Sequence, residues 1–114
     1  MKRGDVVAVV LPGRYGKPRP GLVVQHDAFA ALASVTVLPL TSEVRGLPLL
    51  RVPVGPSKDT GLRVACEIMV DKIMTVPHDK VGPRLGALEE STMQRVDEAL
   101  RRFLALGWSA PGVG

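Results

Sequence analysis

Short β-branched runs, each closed off by glycine or proline, govern the first two thirds of this chain. Val6-Val7-Ala8-Val9-Val10-Leu11 lies between Gly4-Asp5 and Pro12-Gly13, Leu22-Val23-Val24-Gln25 follows Pro20-Gly21, and Val35-Thr36-Val37-Leu38 ends at Pro39. Leu49 to Val54 contains Pro53, which has no N–H for a ladder and so belongs near a sheet edge. Runs this short and this rich in valine read as strands, and none approaches the roughly 20 apolar residues of a membrane-spanning helix. Leu62 to Val70 and Lys72 to Val76 add one or two more, with a turn or bulge at Asp71. Residues 14–21 carry two Gly, two Pro and three cations and read as a charge-exposing loop; 55–61 is a turn cluster and 78–83 a polar connection. Asp27 offers an N-cap for a short helical turn through Leu32.

The period then changes. From Glu89 to Leu106, Met93, Val96, Leu100, Phe103 and Leu104 recur at three- and four-residue steps, the pattern of one helical face. Ser91 and Gln94 stand as a capping box, Glu89 and Glu90 suit the positive start, Arg101 and Arg102 suit the end, and Gly107 can terminate the helix. About five short strands followed by one helix give a mainly β fold, a small twisted antiparallel barrel or half-barrel with a C-terminal amphipathic helix packed on it. A chain of 114 residues is one domain, expected over 1–107, with a flexible tail at 108–114. Its only aromatic residues are Tyr15, Phe29, Phe103 and Trp108, so the core is aliphatic and an RRM-type stacking platform is excluded. The single cysteine, Cys66, allows no internal disulfide and reads as a small buried hydrophobe. The first apolar run is too short for a signal peptide, so a soluble cytoplasmic protein is expected.

Charge narrows the function. The net +4 lies entirely in residues 1–51, which hold seven basic residues against three acidic ones, whereas 52–114 hold eight of each. The cluster Arg14, Lys17, Arg19 suits a polyanion. Walker, G-x-G-x-x-G, H-E-x-x-H and G-x-S-x-G patterns are all missing, and His26 and His78 stand without partners at ligand spacing, so neither metal nor cofactor is expected. Arg19 lies between Pro18 and Pro20, which fix the backbone around a planar, permanent charge suited to a phosphate or to a phosphoryl-transfer transition state. Thr41 and Ser42 add hydroxyl donors if both loops meet at one end of the barrel. The residues alone leave a second reading open, with Arg19 paired to Asp71 or Glu67 and Thr41 capping a turn.

Five segments in order carry a resemblance from Lys2 to about Gly107: Arg3-Gly4-Asp5-Val6-Val7, Lys17-Pro18-Arg19-Pro20-Gly21 running on to Asp27, Val35 to Ser42, Ile68 to Val76, and the helix ending Ala99 to Leu106. Together they resemble the MazF/PemK family of type II toxin–antitoxin endoribonucleases. The resemblance implies an SH3-like barrel of the CcdB/MazF type. It also implies sequence-selective, metal-independent cleavage of single-stranded RNA, in which the 2′-hydroxyl attacks the adjacent phosphate to leave a 2′,3′-cyclic phosphate and a 5′-hydroxyl. Such cleavage of mRNA inhibits translation and growth.

By position, Arg19 matches the family's Arg-Pro arginine, which acts in proton transfer and in stabilising phosphorane-like charge. Thr41 matches its active-site threonine, Ser42 is a neighbouring polar residue, and Asp71 lies where some members carry a functional aspartate. Arg14, Tyr15 and Lys17 are expected RNA contacts beside Ser42 and Asp71, with Tyr15 offering one stacking face. The implied partners are RNA, an acidic MazE/PemI-like antitoxin and a second copy of the chain, with operator DNA reached only through the antitoxin and no membrane. Two departures matter. The Pro12–Pro18 loop lacks the glutamate that many members place there, leaving Lys17, Glu67 or the dimer partner to assist proton transfer, and Met69 stands where some carry an arginine. A gyrase-poisoning CcdB-like toxin is a second reading, although Trp108 is followed by Ser109-Ala110-Pro111 rather than the Trp-Gly-Ile ending such proteins need. A silent nucleic-acid-binding barrel is a third, against which the intact Arg19 and Thr41 weigh.

Overall fold

The valine-rich runs pair as an antiparallel sheet in the computed structural model, which describes residues 1–13 and 16–107. Seven strands, β1 (Asp5–Val10), β2 (Pro18–Val23), β3 (Ser34–Thr41), β4 (Arg51–Val54), β5 (Cys66–Met69), β6 (Met74–Pro77) and β7 (Val81–Ala87), precede one helix, α1 (Glu90–Leu104). They lie in the order β4-β5-β3-β2-β1-β7, with β6 also pairing with β3. Trp108 and the expected tail lie outside the described residues. No helix among those described is long and apolar enough to cross a membrane.

Alternation along the strands feeds two aliphatic clusters. Val6, Leu22, Leu38, Leu40 and Ile68 pack with Met93, Val96 and Ala99 of α1, while Val7, Val9, Leu11, Val23, Val35, Val37 and Val76 form the second. A fully buried valine or leucine contributes about 1.5–3 kcal/mol, so the sixteen buried valines and leucines among the described residues, with Ile68 and Met93, suffice for a core without aromatic residues. The buried stripe of α1 ends at Ala99. Phe103 and Leu104, expected to continue it, are therefore 44% and 42% exposed.

Several local expectations are corrected. The Arg14–Gly21 stretch becomes a strand from Pro18 onward, and β2 is central, flanked by β1 and β3. Only Cys66–Met69 of the Leu62–Val70 run pairs, while the turn expected at Asp71 is a 3-10 turn over Val70–Lys72. The 78–83 connection contains the start of β7, which tolerates Gly82, Pro83 and Gly86 because it is an edge strand, paired to β1 alone through two register shifts. Glu89, not Ser91, is the N-cap of α1, and the chain leaves the helix at Ala105 rather than Gly107. Ala105 takes φ 58° and ψ 40°, with the Leu106 N–H donating to the Arg101 carbonyl at 2.9 Å, a Schellman closure on a residue other than glycine. After β2, His26 caps the 3-10 turn Asp27–Phe29 by accepting the Ala28 N–H on Nδ1, while the Asp27 carboxylate accepts the Arg3 N–H.

The edges of the sheet, β4 and β7, do not pair with each other. The β4–β5 connection bridges them, with the Ala87 N–H donating to the Asp59 carbonyl at 2.8 Å. Two glycines permit that approach: a Cβ on Gly61 would collide with the Leu85 carbonyl, and one on Gly86 with the backbone of Asp59 and Thr60. The result is a half-barrel whose open side is drawn together by backbone contact.

Candidate active site

Prolines decide where the sheet opens. The Val24 N–H donates to the Thr36 carbonyl at 3.2 Å, so the even-numbered peptide groups of β2 face β3. Pro18 and Pro20 are both even and have no N–H to offer, and β2–β3 pairing stops at Gly21 opposite Pro39. Beyond that point β3 turns to β5, pairing Leu40 with Ile68 and Thr41 with Glu67. Pro39 itself falls where β3 passes from β6 to β5. Continuing the β2–β3 register by two residues sets Arg19 opposite Thr41, on strands that no longer bond to each other. Arg19, Thr41 and Glu67 thus stand in one row across three neighbouring strands.

The gap is the mouth of a cleft of about 600 Å³. Arg19, Thr41 and Ser42 line one side, Arg63 adds a second cation, and Leu62, Val64 and Leu85 supply apolar surface. Arg63 and Val64 are presented by the 57–62 turn, in which the Ser57 and Thr60 side chains bond to each other and to the Thr60 and Leu62 N–H groups. Sequence reasoning missed Arg63, because its place in the apolar run after Gly61 reads as one polar position of a strand.

Arg19 is half-buried, and its buried Nε donates to no acceptor among the described residues. Two other unpaired buried atoms, Arg51 Nε and Asp71 Oδ1, face each other at 3.5 Å as an ion pair, and Arg102 Nε sits in the last turn of α1, where the helix dipole favours a cation. Arg19 has neither form of compensation. The alternative of an Arg19 ion pair with Asp71 or Glu67 is therefore overturned. Asp71 belongs to Arg51 and, at 3.9 Å, to Lys72, and it does not line the cleft. Glu67 is buried, with both carboxylate oxygens taken by the Arg45 and Gly46 N–H groups, which hold its carboxyl below the ordinary glutamate range despite burial. It is thus not available as a proton acceptor.

Thr41 Oγ1 accepts the Glu43 N–H at 3.0 Å, leaving the hydroxyl hydrogen free to donate. Lys17 is exposed just before β2 and outside the cleft lining; Arg14 and Tyr15 lie outside the described residues. Cys66 lines the cleft floor with its thiol pushed up by burial, a neutral surface rather than a nucleophile. No carboxylate or imidazole lines the cleft among the described residues. Two cations, a hydroxyl donor and an apolar wall have the chemistry to hold an anion and to stabilise added negative charge.

The family model for PemK-like, MazF-like toxins of type II toxin–antitoxin systems matches residues 2–104. The chain belongs to this toxin family. The toxin is 45% identical over 107 residues to a probable endoribonuclease MazF of Mycolicibacterium smegmatis, covering 93% of this chain and 98% of that one. Its structure is similar to Mycobacterium tuberculosis toxin MazF-mt6 at a TM-score of 0.79 and 30% identity, covering 91% and 99% of the two chains. An endoribonuclease from a mycobacterial species, solved in complex with its cognate antitoxin, is similar at a TM-score of 0.79 and 30% identity, covering 96% and 99%. The mainly β fold with its C-terminal helix, expected from the residues, is that of the MazF toxins.

Proposed function

We propose that this toxin is a metal-independent endoribonuclease that cuts single-stranded RNA in the cytoplasm, with Arg19 and Thr41 acting on the scissile phosphate. The observation that carries this reading is the buried Nε of Arg19, without a partner among the described residues, opposite a threonine whose hydroxyl hydrogen is free. In the reaction the 2′-oxygen bonds to phosphorus as the bond to the 5′-oxygen breaks, one proton leaving the 2′-hydroxyl and one reaching the 5′-oxygen. Arg19 neutralises the charge added to the non-bridging oxygens, Thr41 donates to the same oxygens, and Arg63 holds a neighbouring phosphate. With no base in the described lining, the 2′ proton passes to a non-bridging oxygen held by Arg19 or to a group brought by a second copy. Ser42 and Lys17, and outside the described residues Arg14 and Tyr15, extend the RNA path; Asp71 supports it through Arg51.

Two partners follow. An acidic antitoxin would place carboxylates on Arg19 and Arg63 and so cover the cleft, and a second copy would cover the exposed Phe103, Leu104 and Leu106 at the end of α1. Incubating the purified toxin with a long RNA in excess EDTA, then mapping the new ends, tests the reading. Cleavage leaving 2′,3′-cyclic phosphate and 5′-hydroxyl ends is expected. Intact RNA accompanied by growth arrest in cells would overturn it in favour of a toxin acting on a protein target.

A further inference from the structure

We propose that Glu67 is a positioning residue for Thr41, holding the turn over residues 41–46 so that the threonine hydroxyl faces the cleft. This rests on the reading of Arg19 and Thr41 as the reacting site. Glu67 is 2% exposed; its Oε1 accepts the Arg45 N–H at 3.0 Å and its Oε2 accepts the Gly46 N–H at 2.9 Å. The two successive N–H groups converge on one carboxylate, and Gly46, with φ 68°, turns the chain away directly after them. In the backbone ladder Glu67 is also the partner of Thr41. At its near end the turn closes on Thr41, whose Oγ1 accepts the Glu43 N–H. The turn is therefore tied at both ends to one cross-strand pair. Once Oγ1 has accepted Glu43, the direction left to the hydroxyl hydrogen depends on where the Glu43 N–H sits. Untying Arg45 and Gly46 frees Glu43, and the orientation of Thr41 goes with it. Glu67 itself lies outside the cleft lining and acts only through the turn.

The test is steady-state cleavage of a short single-stranded RNA by the full-length toxin carrying Glu67→Gln, Glu67→Asp, Arg45→Pro or Thr41→Ala. Glutamine turns an NH2 toward one of the two amides and breaks half of the clamp, whereas aspartate keeps both acceptor oxygens. In Glu67→Gln, kcat should fall about 10- to 100-fold, the scale on which misplacing a reacting group acts. KM should stay within about twofold, because Arg19 and Arg63, the cations proposed to hold phosphates, are untouched. Glu67→Asp should recover part of the loss, and amide exchange at Arg45 and Gly46 should rise in Glu67→Gln without rising in β1 or β3. Arg45→Pro removes one N–H from an exposed loop residue and should lower kcat in the same way, which keeps the proposal testable if Glu67→Gln does not fold. Adding Glu67→Gln to Thr41→Ala should cost little more than Thr41→Ala alone. Unchanged kcat in Arg45→Pro or in a folded Glu67→Gln, or losses that add fully to Thr41→Ala, would overturn the positioning role. A fully active Thr41→Ala would instead overturn the site on which the proposal rests.

Discussion

Single residues in this toxin separate charges that tie the fold together from one that is left without a partner among the described residues. Arg3 reaches Asp97 of α1, Arg84 reaches Asp5 at 3.0 Å, and Arg51 reaches Asp71, each tying one element to another. Arg19, half-buried among the same strands, has no counterion among the described residues. An unpaired buried polar group lowers stability by about 1–3 kcal/mol, so a protein that keeps one at the mouth of a cleft gains something other than stability. Ala105 carries strain where the chain leaves α1. Its left-handed φ costs an alanine about 1 kcal/mol more than a glycine, so Ala105→Gly should raise stability by about 0.5–1 kcal/mol, read as a higher urea midpoint with an unchanged m-value.

At the scale of elements, the close approach of the β4–β5 connection to β7 brings Leu62, Arg63 and Val64 to the cleft. Gly86→Ala would force a methyl group into the Asp59–Thr60 backbone and should destabilise by about 2 kcal/mol or more in thermal unfolding, with loss of RNA cleavage in the fraction that remains folded. The valine runs make β1 and β3 legible, and the three- and four-residue period makes α1 so, because both signals act within one element. The same reading turned Pro18 and Pro20 into loop signals and missed the first half of β2. Proline removes a donor on one side of a strand only, and which side lacks a partner is a property of the sheet. The whole of β7 escapes the sequence reading for the same reason, since Gly82, Pro83 and Gly86 are tolerable at an edge. Arg19 and Thr41 were legible as chemistry, from residue type and from the resemblance. Their meeting across a break in pairing, the part played by Glu67 and the arrival of Arg63 depend on contacts far apart in sequence.

The whole molecule is a half-barrel stitched at its ends by carboxylates. Burial pushes the Asp5 carboxyl up, but the Lys2 N–H and the Arg84 guanidinium outweigh it and hold it below the ordinary aspartate range; Glu67 is held low by the Arg45 and Gly46 amides. A carboxylate whose pKa is lower folded than unfolded contributes its stability above the ordinary carboxylate range, about pH 4–4.5, and loses it as pH falls below that range. Stability should therefore be flat from about pH 7 to 5 and drop below about pH 4, with Glu67→Gln flattening part of the drop in acid titrations followed by circular dichroism. Folding also gathers the cleft from β2, β3, β5 and the 61–64 segment, so that a modest net charge of +4 becomes two cations on one opening. Arg19 is proposed to stay unpaired for phosphate chemistry, and RNA cleavage measured beside thermal unfolding of Arg19→Ala tests this. About a thousandfold loss of kcat/KM is expected, with Tm equal to or above that of the unsubstituted toxin, because truncation removes a buried group that makes no hydrogen bond or ion pair among the described residues. Cleavage retained within about tenfold, or a loss of activity matched by a fall in Tm of several degrees, would contradict it.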